Sequence, residues 1–220
     1  MATTDGSVKI GFLKPGAGRG HYGEFAAMIP DGVTLDMQDL GVLRAALTDF
    51  AGRLESVVER ASTLSRQLGW QGVMVPGAPV EVQNADLRQR LAAALDVPFT
   101  TALGAGVEAL RAMEAKRVLM MTPFDPYMNR LIEAHMATTE FDVTLAELGF
   151  ASEQEAVELD PGIVFDMTRR ALGKAGPVDA IYFQGAVLNP LPIIDDMENE
   201  FQMPVISSNP AMFWSLLSKL

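Results

Sequence analysis

Short apolar runs alternate with longer amphipathic stretches along nearly the whole chain. Several runs are apolar without a break, such as Val73-Met74-Val75, which is typical of strands buried on both faces of a parallel sheet. The runs predict seven strands, over 8–13, 33–37, 72–76, 117–122, 141–146, 179–184 and 204–207. Helical spacing predicts helices over about 41–68, 84–95, 104–114, 127–137, 152–158, 161–174, 192–201 and 210–219. This alternation predicts an α/β protein with a doubly wound architecture.

The strand pattern also repeats. The predicted strand 8–13 is followed by Pro15, and the predicted strand 117–122 is followed by Pro123. A second pair of strands ends in Gly77 and Gly185, and both pairs are about 108 residues apart. Equal spacing favours a duplicated α/β unit. Because ligands of open α/β sheets bind beyond the carboxyl ends of the strands, we expect the four turns after these strands to face one cleft.

Composition narrows the classes of function. The net charge of −11 argues against a surface for nucleic acid or an anionic membrane, which needs clustered Lys and Arg. The chain has no cysteine, which excludes disulfides, Cys-ligated metal sites and thiol nucleophiles, and two histidines argue against a His-rich metal site. The amino-terminal residues lack the apolar core of a signal peptide, and no apolar run reaches the ~18 residues of a membrane span. We therefore expect a cytoplasmic protein.

The turns and a longer run near the carboxyl end resemble the aspartate/glutamate racemase superfamily, most closely its maleate isomerase and arylmalonate decarboxylase branch. The segments that carry the resemblance are 15–25, 30–34, 100–103, 109–117, 122–124 with Asn129, 191–198 and 203–214. The resemblance implies two pseudo-symmetric flavodoxin-like subdomains, each a parallel four-stranded sheet with flanking helices, and an active-site cleft between them. We expect residues 1–103 plus 205–220 to form the first subdomain and residues 104–204 the second.

The resemblance also implies chemistry without a cofactor at the carbon next to a carboxylate of a small substrate, and a homodimer by analogy. In the family one or two cysteines act as acid, base or nucleophile, and aligning the strand ends places Gly77 and Gly185 at those positions. The hydroxyls that hold a carboxylate in relatives are replaced by Ala78 and Pro79, and the tyrosine of the turn is replaced by Phe124. We therefore expect a roomier and less polar pocket, for a bulkier or less charged substrate.

Four side chains near the turns can transfer a proton, and each also has a plain structural explanation. Lys14 ends the first strand, where it can clamp a carboxylate, act as a base, or be a solvated lysine. His21 titrates near neutral pH and can be an acid or a base, although exposed turn histidines are common. Tyr22 and Tyr127 can each place a phenol in the cleft, and Tyr127 could replace the missing tyrosine or pack as an ordinary helix residue.

The substrate-binding residues are expected at the same turns. Arg19 can hold a carboxylate with two parallel hydrogen bonds, or be a surface charge. Ser208 and Asn209 follow the last strand, where the resemblance suggests that they line the cleft, whereas Pro210 after them favours a helix cap. The full predicted set is Pro15, Gly18, Arg19, Gly77, Ala78, Phe124, Asn129, Gly185, Ala186, Ser208 and Asn209. The sequence predicts a cofactor-independent isomerase, racemase or decarboxylase-like enzyme with non-cysteine acid–base groups.

Two other classes of function stay open. A member of the family without activity could bind a small carboxylate in the same cleft. The opening turn also has the spacing Gly18-x-Gly20-x-x-Gly23 of a dinucleotide-binding fingerprint, with Asp36 near the end of the next strand. Against an NAD(P)-binding oxidoreductase, the segment between residues 23 and 30 has room for only about two helical turns, fewer than a Rossmann crossover normally uses.

Overall fold

The computed structural model describes residues 7–16, 22–42 and 47–220. The backbone forms two parallel sheets of four strands each. The first sheet has the order β2-β1-β3-β4, with β1 Val8–Lys14, β2 Val33–Asp39, β3 Gly72–Val75 and β4 Phe99–Thr101. The second has the order β6-β5-β7-β8, with β5 Arg117–Met121, β6 Asp142–Leu145, β7 Ala180–Phe183 and β8 Val205–Ser207. The matching order confirms the predicted pair of similar α/β halves.

Eight α-helices lie within the described residues. They are α1 Leu54–Leu68, α2 Ala78–Val82, α3 Leu87–Ala94, α4 Ala102–Ala112, α5 Pro126–Met136, α6 Pro161–Ala175, α7 Ile194–Phe201 and α8 Ser208–Leu217. Short 3-10 helices cover Tyr22–Ala27, Leu47–Phe50, Glu153–Ala156 and Leu191–Ile193. Asp125 and Asp160 cap α5 and α6 through backbone N–H groups, and each is followed by a proline at the first helical position. In the described ranges, none of the helices combines the length and apolarity that a membrane crossing requires.

The helices predicted over 41–68 and 84–95 begin later in the structure than the sequence predicts. The helix predicted over 41–68 begins only at Leu54, because Gly52 has a left-handed backbone (φ +69°) that separates α1 from the preceding 3-10 helix. Residues 43–46 of that prediction lie outside the described residues. The helix predicted over 84–95 is α3 alone, and the shorter α2 precedes it.

Strand β4 is absent from the sequence prediction. It has only three residues, and two of them, Thr100 and Thr101, have hydroxyl groups, so no apolar run marks it. Both hydroxyls are buried and bonded: Thr100 pairs with Ser215 at 2.9 Å, and Thr101 donates to Glu81 at 3.0 Å. These partners are distant in sequence, so the local pattern cannot indicate the burial of the strand.

One apolar core lies between the sheets and belongs to both halves. It contains Phe12 and Met74 from the first sheet and Met120 and Tyr182 from the second. Helix α4 follows the first sheet but contacts β8, and α8 follows the second sheet but contacts β3 and β4. Separate apolar clusters lie under α1 and α3 on one outer face and under α6 and α7 on the other. The exchanged helices therefore hold the halves together.

This exchange differs from the expected division of the chain. Residues 205–220 are expected with the first subdomain, but β8 pairs in parallel with β7, with Ile181 opposite Val205. Strand β8 therefore belongs to the second sheet, and only α8 packs against the first. The chain crosses from one half to the other between Ser207 and Ser208.

Gly11 in β1 provides a test of this packing. A β-carbon at Gly11 would overlap the indole ring of the buried Trp70. We expect Gly11→Ala to lower the free energy of unfolding by about 1–3 kcal/mol, because Trp70 cannot move without opening the core. Urea-induced unfolding measures this difference.

The matched control is Gly173→Ala in α6. No atom lies within 4 Å of a β-carbon at Gly173, so we expect the variant to be stabilised by about 0.5–1 kcal/mol through its higher helix propensity. A Gly11→Ala protein as stable as the unmodified chain would contradict the close packing of Trp70 on β1.

Candidate active site

A cavity opens where the strands of both sheets end. Counting the part that is open to solvent, the space within it is about 620 Å³, and the volume that the centre of a water molecule can reach is about 60 Å³. The turns after β1, β3, β5 and β7 all contribute to its wall, as does the start of α8. The lining residues are mostly apolar: Pro15, Gly16, Tyr22, Leu47, Phe50, Pro76, Gly77, Pro79, Ala102, Pro123, Phe124, Glu153, Gln184, Gly185, Ala186, Val187, Ser208, Asn209 and Met212. The four predicted turns therefore do face one cleft.

Glycine and proline meet at the end of both sheets. Gly77 has a φ of +95°, and a β-carbon there would lie 3.0 Å from Pro15 Cγ. Gly185 has a φ of +126°, and its β-carbon would lie 2.7 Å from Pro123 Cδ. L-residues with a side chain rarely adopt such φ values. At both positions that the family resemblance aligns with cysteines, the backbone and the facing proline therefore favour glycine.

Part of the predicted site lines the cavity. These residues are Pro15, Tyr22, Gly77, Phe124, Gly185, Ala186, Ser208 and Asn209. The ring of Tyr22 packs edge-on against Phe12, with centroids 5.2 Å apart, so β1 holds the phenol in place. Ser208 Oγ accepts a long hydrogen bond of 3.4 Å from the Gly185 N–H, which joins the start of α8 to the turn after β7.

Two predicted catalytic residues lie away from the cavity wall. Lys14 Nζ pairs with Asp39 Oδ1 at 3.2 Å, at the ends of β1 and β2. Tyr127 is on α5, is 50% exposed and does not line the cavity. The predicted residues outside the described ranges are Gly18, Arg19 and His21.

Two predicted binding residues lie next to the cavity wall but do not line it. Ala78 is completely buried at the start of α2. Asn129 braces the turn after β5, because its Oδ1 accepts from the Thr122 hydroxyl and its Nδ2 donates to the Phe124 carbonyl at 3.0 Å. The amide of Asn129 is therefore engaged by the turn itself.

The sequence analysis does not predict two of the polar residues that line the cavity. Glu153 lies in a 3-10 helix that the segment after β6 brings to the cavity, and nothing in its amphipathic surroundings distinguishes it from neighbouring glutamates. Gln184 follows β7 directly and is 1% exposed. Its place beside Gly185 is the one signal that could have indicated it.

Tyr22 and Glu153 are the ionisable residues among the described lining residues. Burial raises the pKa of Tyr22 well above its usual value near 10, and the negative charge of Glu153 raises it further. Tyr22 therefore remains a neutral phenol throughout the physiological pH range. A neutral acid and a carboxyl group thus line one mostly apolar cavity.

Asp36, the acid that would bind a ribose if the opening turn bound a dinucleotide, is engaged within the first sheet. Its carboxylate accepts a hydrogen bond of 3.1 Å from Trp70 Nε1 and pairs with Lys9 at 3.0 Å. Gly23 lies in the 3-10 helix Tyr22–Ala27, while Gly18 and Gly20 are outside the described residues. Contacts inside the sheet therefore account for Asp36 without a nucleotide.

Comparison with known proteins agrees with this architecture. The family model described as arylmalonate decarboxylase matches residues 10–220. The chain belongs to the arylmalonate decarboxylase family. The arylmalonate decarboxylase of Bordetella bronchiseptica is 28% identical over 211 residues, which cover 93% of this chain and 87% of that protein. The maleate isomerase of Nocardia farcinica is 28% identical over 146 residues, which cover 66% of this chain and 58% of that protein.

A solved structure of unliganded arylmalonate decarboxylase has the same fold. It matches with a TM-score of 0.80 at 27% identity, over 96% of this chain and 92% of that one. The family resemblance seen in the sequence is therefore confirmed. Within this family the present chain has no cysteine, so any proton transfer must use other groups.

The backbone at Gly185 predicts the result of restoring a thiol there. We expect Gly185→Cys to lower the free energy of unfolding by about 1–3 kcal/mol, because the new side chain meets a φ of +126° and the Pro123 ring. The control is Ala186→Cys, which adds a thiol to the same wall at a residue with negative φ. Urea unfolding under reducing conditions compares them, and equal stability would contradict the backbone constraint.

Buried tyrosines predict how stability depends on alkaline pH. Burial raises the pKa of both Tyr22 and Tyr182 above the usual value near 10, at which the unfolded chain ionises. Stability is therefore complete below about pH 10 and falls above it, by about 1.4 kcal/mol per pH unit for each tyrosine. We expect urea unfolding between about pH 9 and 11 to show a smaller loss of stability with pH in Tyr22→Phe than in the unmodified chain, because only Tyr182 then contributes. An unchanged slope would mean that Tyr22 ionises equally in both states.

Proposed function

We propose that this chain is a cofactor-independent enzyme that breaks or forms a bond at the carbon next to a carboxylate, with carboxy-lyase chemistry favoured. The observation that carries the proposal is a neutral phenol, Tyr22, in the mostly apolar cavity of an arylmalonate decarboxylase family member. Side chains such as Leu47, Phe50 and Phe124 suit a substrate with a bulky apolar group beside its carboxylates. An arylmalonate has this character.

Decarboxylation of such a substrate matches what the cavity offers. The bond from the α-carbon to the leaving carboxylate breaks, its electron pair passes to the α-carbon, and CO2 departs without charge. An apolar wall favours this step because the charge of the leaving group disappears. The electron pair spreads into the remaining carboxylate as an enediolate, which hydrogen-bond donors stabilise.

Tyr22 completes the reaction in this proposal. Its phenol transfers a proton to the α-carbon, a C–H bond forms, and the tyrosinate recovers a proton from water. The raised pKa of Tyr22 keeps the phenol protonated before each turnover, and the enediolate is a strong enough base to accept its proton. This role needs one acid and no thiol, which suits a chain without cysteine.

An isomerase is the second candidate, and Glu153 is the observation that favours it. Racemisation at the α-carbon needs one group to remove a proton and another to return one from the opposite face. Tyr22 and Glu153 are the ionisable pair among the described lining residues. His21, expected from the sequence as an acid or base, stays a third candidate for this chemistry.

Turnover of phenylmalonate in D2O, followed by NMR, tests the carboxy-lyase. We expect phenylacetate with one deuterium at the α-carbon, because the phenolic proton of Tyr22 exchanges with solvent. Tyr22→Phe should lower kcat by roughly 10²- to 10⁴-fold, since it removes the proton donor and keeps the ring. Retained turnover would refute this role, and a loss in Tyr127→Phe instead would move the donor to α5.

Glu153→Gln separates the two candidates. A carboxy-lyase that uses Tyr22 alone should still decarboxylate phenylmalonate, whereas a racemase should lose exchange of the α-protons of phenylacetate with D2O. Glu158→Gln is the matched control, because Glu158 is an exposed glutamate on the same segment. Binding without turnover or exchange would indicate a non-catalytic carboxylate-binding protein, and tight stabilisation by NAD(P) would favour the oxidoreductase.

A further inference from the structure

The two halves use equivalent helix N-termini differently. Helix α4 follows β4 and α8 follows β8, and both sheets have the same strand order. In the first half a carboxyl group of the protein occupies the position: Glu81 accepts from the Leu103 N–H at 3.1 Å and from the Thr101 hydroxyl at 3.0 Å. The first N–H groups of a helix favour such a group. Glu81 thus shows what this position binds in the present fold.

The start of α8 has no comparable occupant within the described residues. Ser207 at its N-cap makes no side-chain capping hydrogen bond. Asn209, which takes the place of Leu103 in the second half, lines the cavity and is 6% exposed. In the described part of the chain, its side-chain amide has no hydrogen-bond partner, although a buried amide is costly to leave unpaired. An unpaired amide therefore stands in the first turn of α8, where Ser208 and Asn209 have the N–H groups, since Pro210 has none.

Gln184 adds a second donor to the wall of the cavity, directly before Gly185, whose N–H is bonded to Ser208. The Tyr182 hydroxyl donates to Gln184 Oε1 and lies 3.1 Å from the Ala102 carbonyl oxygen. Because the amide oxygen is turned to Tyr182, the two N–H groups of Nε2 remain, and they meet no acceptor among the described residues. Gly106 makes this arrangement possible, since a β-carbon there would overlap the Tyr182 hydroxyl.

We propose that the first turn of α8, Asn209 and Gln184 form the pocket for the carboxylate that the substrate keeps. The inference rests on the proposed function and assigns the acid group of its substrate to the second half. Ala78 and Pro79 offer no hydroxyl beside Gly77, so the first half has no equivalent side-chain donors at its turn. All donors in the proposed pocket are neutral, so it recognises the carboxylate by hydrogen bonds.

Binding of two matched probes tests the pocket independently of turnover. Phenylacetate and 2-phenylethanol share the aryl group, and only the first has a carboxylate. We expect Gln184→Met and Asn209→Leu each to weaken phenylacetate binding by roughly 10- to 100-fold and 2-phenylethanol binding by less than about threefold. NMR titration measures both affinities, and Gln67→Met, an exposed position on α1, is the control.

Gln184→Glu is the sharper variant. It keeps the size of the side chain but replaces the N–H donors with a negative charge, so phenylacetate binding should fall by more than about 100-fold. Unchanged phenylacetate binding by Gln184→Glu would overturn the assignment, because the amide would then not donate to a carboxylate.

A double-mutant cycle tests whether Tyr182 acts by positioning Gln184. Tyr182→Phe removes the hydroxyl and should weaken phenylacetate binding by roughly three- to tenfold in the unmodified chain. In the Gln184→Met background the same change should have almost no further effect. Equal losses in both backgrounds would show that Tyr182 does not act through Gln184.

The outcomes separate the pocket from the proposed function. Turnover of phenylmalonate with phenylacetate affinity unchanged in Gln184→Met and Asn209→Leu overturns the pocket alone. Phenylacetate binding that depends on both residues, without any turnover, supports the pocket and overturns the proposed enzyme. A chain that binds none of phenylacetate, phenylmalonate and maleate overturns both.

Discussion

The packing of α4 and α8 between the two sheets is the constraint on which the rest of the structure depends. Each helix follows one sheet and contacts strands of the other, so the chain crosses between the halves twice. The apolar core between the sheets belongs to both halves, and separating them would expose Phe12, Met120 and their neighbours to water. The ends of both sheets are therefore held around one cavity, and the positions of its wall residues follow from burial elsewhere.

The two similar halves supply two equivalent positions for each part of the cleft, and the side chains determine which of the two can bind a ligand. Gly77 and Gly185 have stayed alike, since each faces a proline and leaves the wall without a side chain. The helix N-termini differ, because Glu81 occupies the one in the first half while Asn209 stands at the other. Under the proposed function, this difference determines the orientation of the substrate in the cavity of a nearly symmetric fold.

Sequence reasoning predicts the features that depend on local pattern. Apolar runs locate seven strands, and the repeat places Pro15, Gly77 and Gly185 at one cleft. It misses β4, whose burial depends on distant partners. It misses Glu153 for the same reason, because only the folded path of the segment after β6 brings that residue to the cavity. Tyr127 follows a predicted turn, but the helix directs half of its surface to solvent, which a turn alone cannot indicate.

A cleft without cysteine still has polar groups, because segments other than the glycines at the strand ends supply them. Tyr22 lies in the 3-10 helix after β1, Glu153 lies in the 3-10 helix after β6, and Gln184 directly precedes Gly185. None of the three is a nucleophile of the strength of a thiolate. Cleavage that releases CO2 directly and asks only for a proton suits this set better than a reaction that passes through a covalent bond to the protein. This is why the carboxy-lyase ranks ahead of the isomerase.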